Sequence, residues 1–199
     1  VDKEHVDEVI MGQVLPCGCG QNPARLAMLK AGLPFETGAL TINRVCGGGL
    51  KAVMLAAQAI RAGDSHIIVA GGMESMSNAP YLIPKGRTGY RYGHAMMYDH
   101  MALDGLEDAY ERGKAMGVFA EQCVAKYSFT REAQDKFAIA STERALKANT
   151  DGSFAWEIAP VMVAGKGGET KIDKDEQPFK AKLDEIPGLK PAFEKDGTL

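Results

Sequence analysis

The chain has 199 residues, 45% hydrophobic and 25% charged, with a net charge of −3. Such values suit a globular protein with a buried core; they leave no basic surplus for a nucleic-acid partner and no apolar run able to span a bilayer. The four cysteines, at 17, 19, 46 and 123, are too few and too uneven for a disulfide framework, which fits a reducing, cytoplasmic setting.

The chain opens on Val1 and enters the strand-like run Val6 to Met11 almost at once, so it is expected to be an internal piece of a longer protein, truncated at both ends. Val9 to Leu15 is apolar with β-branched residues and predicts a strand. Asn22-Pro23-Ala24-Arg25 opens a helix to about residue 32, with Pro23 tolerated in its first turn. Gly38 to Asn43 is the second strand. From Gly47 to Ala62, Leu50, Val53, Met54, Ala57 and Ile60 share one face and predict an amphipathic helix ended by Gly63-Asp64. His66 to Ala70 reads as a strand buried on both faces. Strands separated by helices indicate the α/β class.

Residues 78 to 115 carry Pro80, Pro84, Gly86, Gly89 and Gly93 among tyrosines and methionines, and read as a long packed excursion. Helices are predicted over 116–126 and 131–148. Thr130 is the N-cap of the second, with Phe137, Ala138, Ser141 and Ala145 on one face. Trp156 to Val163 reads as a strand, followed by charged loop as far as Pro191-Ala192-Phe193.

Cys46 is the candidate nucleophile. It stands between a strand and a Gly-Gly-Gly run that begins a helix, where the backbone N–H groups and the positive dipole end favour a thiolate. Glycines beside it would let a substrate approach the backbone. A cysteine can equally be a small buried hydrophobe, and the setting alone leaves both readings open. Cys17-Gly18-Cys19 lacks a second ligand pair and reads as a tight turn, so no metal site is expected; Cys123 reads as core. Glu74, in Gly71-Gly72-Met73-Glu74-Ser75-Met76-Ser77, is read as satisfying backbone groups of its turn. His94 and His100 lie in the methionine-rich excursion, and no base for Cys46 can be named among the four histidines.

An ordered set of motifs resembles the thiolase family, in its acetyl-CoA acetyltransferase branch. The set runs from Gly20-Gln21-Asn22-Pro23-Ala24-Arg25 through Asn43-Arg44-Val45-Cys46-Gly47-Gly48-Gly49-Leu50-Lys51-Ala52 and the Gly71–Ser77 loop. It continues with Asp104-Gly105-Leu106, Met116-Gly117 with Ala120-Glu121, Arg131-Glu132-Ala133-Gln134-Asp135 and Glu157-Ile158-Ala159-Pro160-Val161, and closes on Pro191-Ala192-Phe193 with Asp196-Gly197-Thr198. Three positions depart from the family pattern: Gly48 where a small polar residue is usual, Ala115 where many members have histidine, and Gln122 where asparagine often follows the Ala-Glu pair.

The resemblance implies half of a thiolase-like layered α/β fold, one mixed β-sheet with helices, plus an inserted loop domain. Residues 1–77 would be the N-terminal core, 78–195 the loop domain covering coenzyme A, and 196–199 the start of the return to the core. It implies that Cys46 takes an acyl group from acyl-CoA, for Claisen condensation of two acetyl-CoA or, in reverse, thiolysis of a 3-ketoacyl-CoA. Met116 and Phe193 would line the pantetheine channel. Coenzyme A thioesters would be substrates, with no separate cofactor or metal, and the protein a homodimer or homotetramer in fatty acid metabolism. The family's second cysteine, Gly-His motif and Asn-Glu motif belong to a C-terminal half and match nothing in these residues. The chain alone is therefore expected to be inactive, since losing oxyanion donors costs about 10²–10³ in rate. The alternatives are a non-catalytic CoA- or lipid-binding relative and a ketoacyl-synthase-type condensing enzyme.

Overall fold

Alternation of apolar and helix-forming segments produces a three-stranded parallel sheet with helices in the first part of the chain. The computed structural model describes residues 1–199 throughout. Strand β1 (Glu8–Gly12) lies between β2 (Gly38–Ile42) and β3 (Ile68–Gly72), in the order β2-β1-β3, all parallel. Helix α1 (Pro23–Lys30) connects β1 to β2, and α2 (Gly48–Ala62) connects β2 to β3. Parallel strands need such crossovers, because a short turn cannot reverse the chain twice. The α/β class holds, and the expected mixed sheet is here purely parallel, with antiparallel pairing confined to two separate ribbons.

Val6, Val9 and Met28 form the core, flanked by Met11, Leu29, Leu33, Ala39 and Ile67. The strand buried on both faces is β1, with Val9 and Ile10 buried in sequence, and not the stretch at 66–70. Strand β3 occupies the sheet edge and leaves Val69 exposed. The Asn22-Pro23-Ala24-Arg25 motif bolts α1 to β2. Asn22 caps the helix at φ +47°, donates from Nδ2 to Ala39 O at 2.9 Å and accepts from Thr41 Oγ1 at 2.7 Å. The Arg25 guanidinium donates to the carbonyls of Thr37 and Phe35.

Helix α2 corrects the predicted core face. Leu50 is 71% exposed, and Val53, Met54 and Ile60 are also exposed, whereas Gly48, Ala52 and Ala56 are buried. The helix sits so close to β1 and β3 that only small residues fit between them. The excursion is likewise less packed than expected. Residues 83–97 are exposed, and only the short pairing of β4 (Tyr81–Leu82) with β5 (Tyr98–Asp99) and the π-helical turn Ala102–Leu106 are built against neighbours.

By its contacts the chain divides into two compact units, 1–114 and 115–199, so residues 78–114 group with the first. The second contains α3 (Met116–Tyr127), α4 (Arg131–Thr150), the β6–β7 hairpin (Val161–Gly165 with Gly168–Ile172) and α5 (Gln177–Lys180). Thr130 Oγ1 accepts from Ala133 N at 3.1 Å, the expected cap of α4. The predicted face of α4 is displaced by about one residue: Phe137, Ala138 and Ser141 are exposed, Ala145 is half-buried as expected, and Asp135, Ile139, Thr142 and Leu146 complete the more covered row. Arg131 explains the choice, since it bonds Asp135 within the helix and donates to Ile186 O at 2.9 Å. Strand β7 falls in what reads as charged loop; Trp156 lies outside the hairpin and is exposed. Cys123 is exposed, not core.

Candidate active site

The turn from β2 into α2 is built by one side chain and two backbone bonds. Asn43 Oδ1 accepts from Val45 N at 2.9 Å, and the N–H groups of Gly47 and Gly48 donate to the carbonyls of Arg44 and Val45 at 3.1 and 3.0 Å. Val45 is held at φ +48°, a left-handed conformation that a β-branched residue adopts only under constraint. The chain thereby leaves the strand, reverses, and presents Cys46 exposed just before the first turn of α2. Gly47 is the N-cap and supplies no side-chain acceptor. With no capping side chain and the Gly48 N–H already given to Val45 O, the start of α2 offers its positive dipole end and the N–H groups of Gly49 and Leu50.

The glycines serve the helix more than a substrate. A Cβ on Gly12 would lie 2.6 Å from Gly49 N, one on Gly48 would lie 3.1 Å from the Gly12 Cα, and one on Gly72 3.3 Å from Gly12 O. Backbone meets backbone at this joint, so the end of β1, the end of β3 and the start of α2 are pressed together beneath Cys46. Gly48, where the family pattern has a small polar residue, lies within that contact.

Cys46 lines a cavity of about 370 Å³ together with Leu15, Val45, Met73, Met76, Met101 and Leu106. Three methionines converge here from separate segments: Met73 and Met76 follow β3, and Met101 precedes the π-helical turn. Glu74 also lines the cavity, with Oε2 accepting from Val14 N at 2.7 Å and Oε1 from Leu15 N at 3.0 Å; it satisfies backbone groups, but those of the loop leaving β1 and not of its own turn as expected. No imidazole is among the lining residues, and the one lining carboxylate, Glu74, has both oxygens engaged by backbone N–H groups. His94 is exposed, and His100 is buried at 2% exposure.

In the second unit, Met116 is the first residue of α3 and half-exposed. The Phe193 ring lies against Gly117, where a Cβ would overlap it, so Met116-Gly117 and Phe193 are neighbours there. Glu121, buried, accepts from the N–H groups of Thr198 and Leu199, each at 2.7 Å. That clamp escaped sequence reasoning; the Ala-Glu pair carried it, but nothing in the spacing named its target. No cluster of histidine, cysteine and carboxylate side chains is arranged to hold a metal ion, and no helix is long and apolar enough to cross a membrane.

A parallel α/β sheet with a cysteine on the strand-to-helix turn, above an apolar cavity, defines a class of protein equipped for chemistry at a thiol. Residues 1–199 match the model of the thiolase N-terminal domain, and the chain belongs to the thiolase family. It is 52% identical over 201 residues to acetyl-CoA acetyltransferases of Cupriavidus necator and Pseudomonas aeruginosa, covering 100% of this chain and 51% of each relative. The Escherichia coli acetyl-CoA acetyltransferase is 49% identical, with the same coverage. Among solved structures, the Acat5 thiolase of Ascaris suum in complex with coenzyme A superposes with a TM-score of 0.88 at 38% identity, over 100% of this chain and 50% of that one. The chain spans about half the length of the curated relatives it matches.

Proposed function

We propose that the whole protein is an acetyl-CoA acetyltransferase, and that this chain carries its acylation half. The observation that carries the reading is Cys46, exposed at the uncapped start of α2 on the rim of an apolar cavity, in a chain matching the thiolase N-terminal domain over its full length. The Cys46 thiolate attacks the thioester carbonyl, a new C–S bond forms, and the C–S bond to coenzyme A breaks, releasing its thiolate. In this reading the positive dipole end of α2 favours the charge that develops on the carbonyl oxygen in between. The α-carbon of a second acetyl-CoA then attacks the acyl-enzyme; in the reverse direction, coenzyme A cleaves a 3-ketoacyl-CoA. The base for that second half is not among the cavity residues.

Met116 and Phe193 are proposed to line the pantetheine channel within a loop domain spanning 78–195. The pairing of Met116-Gly117 with Phe193 in one unit and the coenzyme A complex of the related Ascaris thiolase support this. Coenzyme A thioesters are the substrates, and neither a separate cofactor nor a metal is invoked. We further propose a cytoplasmic homodimer or homotetramer acting in fatty acid metabolism.

Free thiol released from acetyl-CoA by the 199-residue chain tests the reading. The expectation is one coenzyme A per chain, abolished by Cys46→Ser, with no continuing turnover. Sustained condensation or thiolysis would overturn the half-reaction assignment. Binding of acetyl-CoA with no release would favour a non-catalytic CoA-binding relative.

A further inference from the structure

His100 is a buried titratable side chain that the acyl-transfer scheme does not use. Its side chain is 3% exposed, with Nδ1 2.6 Å from Asp104 Oδ2. Nε2 accepts the backbone N–H of Cys17 at 3.4 Å. A backbone N–H can only donate, so Nε2 is the acceptor in this bond and Nδ1 is the nitrogen directed at Asp104.

The two segments joined in this way are both walls of the Cys46 cavity. On one side is the loop leaving β1, where Leu15 lines the cavity two residues before Cys17. On the other is the segment beginning at His100, in which Met101, Gly105 and Leu106 line it. The walls touch at Gly105, where a Cβ would meet Leu15 Cδ2 at 3.3 Å. No other hydrogen bond joins the loop 13–20 to the segment 100–106. Glu74 anchors the same loop from the β3 side through Val14 and Leu15, so loss of the imidazole leaves the loop tethered and frees only its distance to the second wall.

We propose that His100 is a positioning residue: by bridging the Cys17 N–H and the Asp104 carboxylate it sets the spacing of the two cavity walls beside Cys46, and thereby the length of acyl chain the cavity admits. The acyl identity of the occupant rests on the acyl transfer proposed above; the wall spacing does not.

The test labels Cys46 with methyl and with hexyl methanethiosulfonate, reagents that need no coenzyme A, and reads each rate by peptide mapping. His100→Ala is expected to change the hexyl-to-methyl rate ratio at Cys46 about tenfold, the discrimination a few methylenes give in an apolar pocket. A purely structural loosening would move both rates together. His100→Gln, whose Oε1 can take the place of Nε2 as acceptor for Cys17, is expected to restore the ratio. His100→Asn, which keeps a donor for Asp104 but cannot reach Cys17, is not. Gly105→Ala presses on Leu15 without touching His100 and is expected to shift the ratio as well, which keeps the proposal open to refutation if His100→Ala does not fold. An unchanged ratio in folded His100→Ala, restoration by Asn as well as by Gln, or an unchanged ratio in Gly105→Ala would each overturn it. If acetyl-CoA fails to acylate Cys46 while the ratios behave as expected, acyl transfer falls and the positioning role stands.

Discussion

The joint under Cys46 and the joint at the end of the chain solve the same problem by opposite means. In the first unit, α2 is held against the ends of β1 and β3 by the absence of side chains, with Gly12, Gly48 and Gly72 meeting backbone atoms. In the second, the Thr198–Leu199 backbone is held by the presence of one, the Glu121 carboxylate. The first joint has no room for an added atom at Gly12, where a Cβ would lie 2.6 Å from Gly49 N and close-packed backbone cannot give way. A joint of the second kind cannot lose its acceptor, because two N–H groups would be left unpaired. The contrast separates two uses of small and charged residues that look alike as motifs.

The largest expected effect breaks the first joint. Gly12→Ala places a Cβ 2.6 Å from Gly49 N and is expected to cost about 3 kcal/mol, the upper part of the overpacking range. A urea midpoint equal to that of the unsubstituted chain would show that the backbone contact is not what sets the joint.

The next effect breaks the second joint. Glu121→Ala should cost about 2 kcal/mol, as expected when half-buried donors lose a charged acceptor. Hydrogen exchange resolves it by residue: the Thr198 and Leu199 amides should lose protection, with Glu121→Gln intermediate. Retained protection in the alanine variant would mean that another group holds the segment.

The smallest effect is a pH dependence shared by the units. Asp7 Oδ2 accepts from the N–H groups of Ile67 and His66, and those bonds hold its carboxyl below the ordinary value. In the second unit the Lys147 ammonium and Ser153 depress Asp151. A carboxyl depressed on folding stabilises fully above its unfolded value of about 3.9 and loses that contribution as pH falls through the folded value. Asp7→Asn should therefore flatten the acid limb of the stability curve of the first unit and leave that of the second in place. An acid limb unaltered by Asp7→Asn would locate the proton uptake elsewhere.

How much of this was legible in the sequence depended on whether a residue acts locally. The elements around Asn22, Cys46 and Thr130 were readable because a cap, a turn and a glycine run are written within a few residues. The inward face of α2 was not. Leu50, Val53, Met54 and Ile60 carry the hydrophobic periodicity, yet the distance to the sheet is set by Gly12 and Gly72, far away in sequence, and admits only Ala52 and Ala56. Phe137 misled for a related reason: it drew the predicted face of α4 toward itself, whereas Arg131 fixes the helix through Ile186, 55 residues on. Strand β7 was missed although Gly165-Lys166-Gly167-Gly168 between two β-prone runs is a hairpin signal. At the site, the place of Cys46 between strand and helix was legible and the backbone partners of Glu74 were not, since Val14 and Leu15 are 60 and 59 residues away; nor was the cavity, because Leu15, Met73, Met101 and Leu106 meet only once the sheet and the π-helical turn are assembled.

The central claim is that Cys46 accepts the acyl group. Incubation of the chain with acetyl-CoA, digestion under conditions that preserve thioesters, and mass spectrometry of the peptides that carry the four cysteines test it directly. The expected result is a single acetyl adduct on the peptide containing Cys46; an adduct on Cys17 or Cys123 with Cys46 unmodified would contradict it.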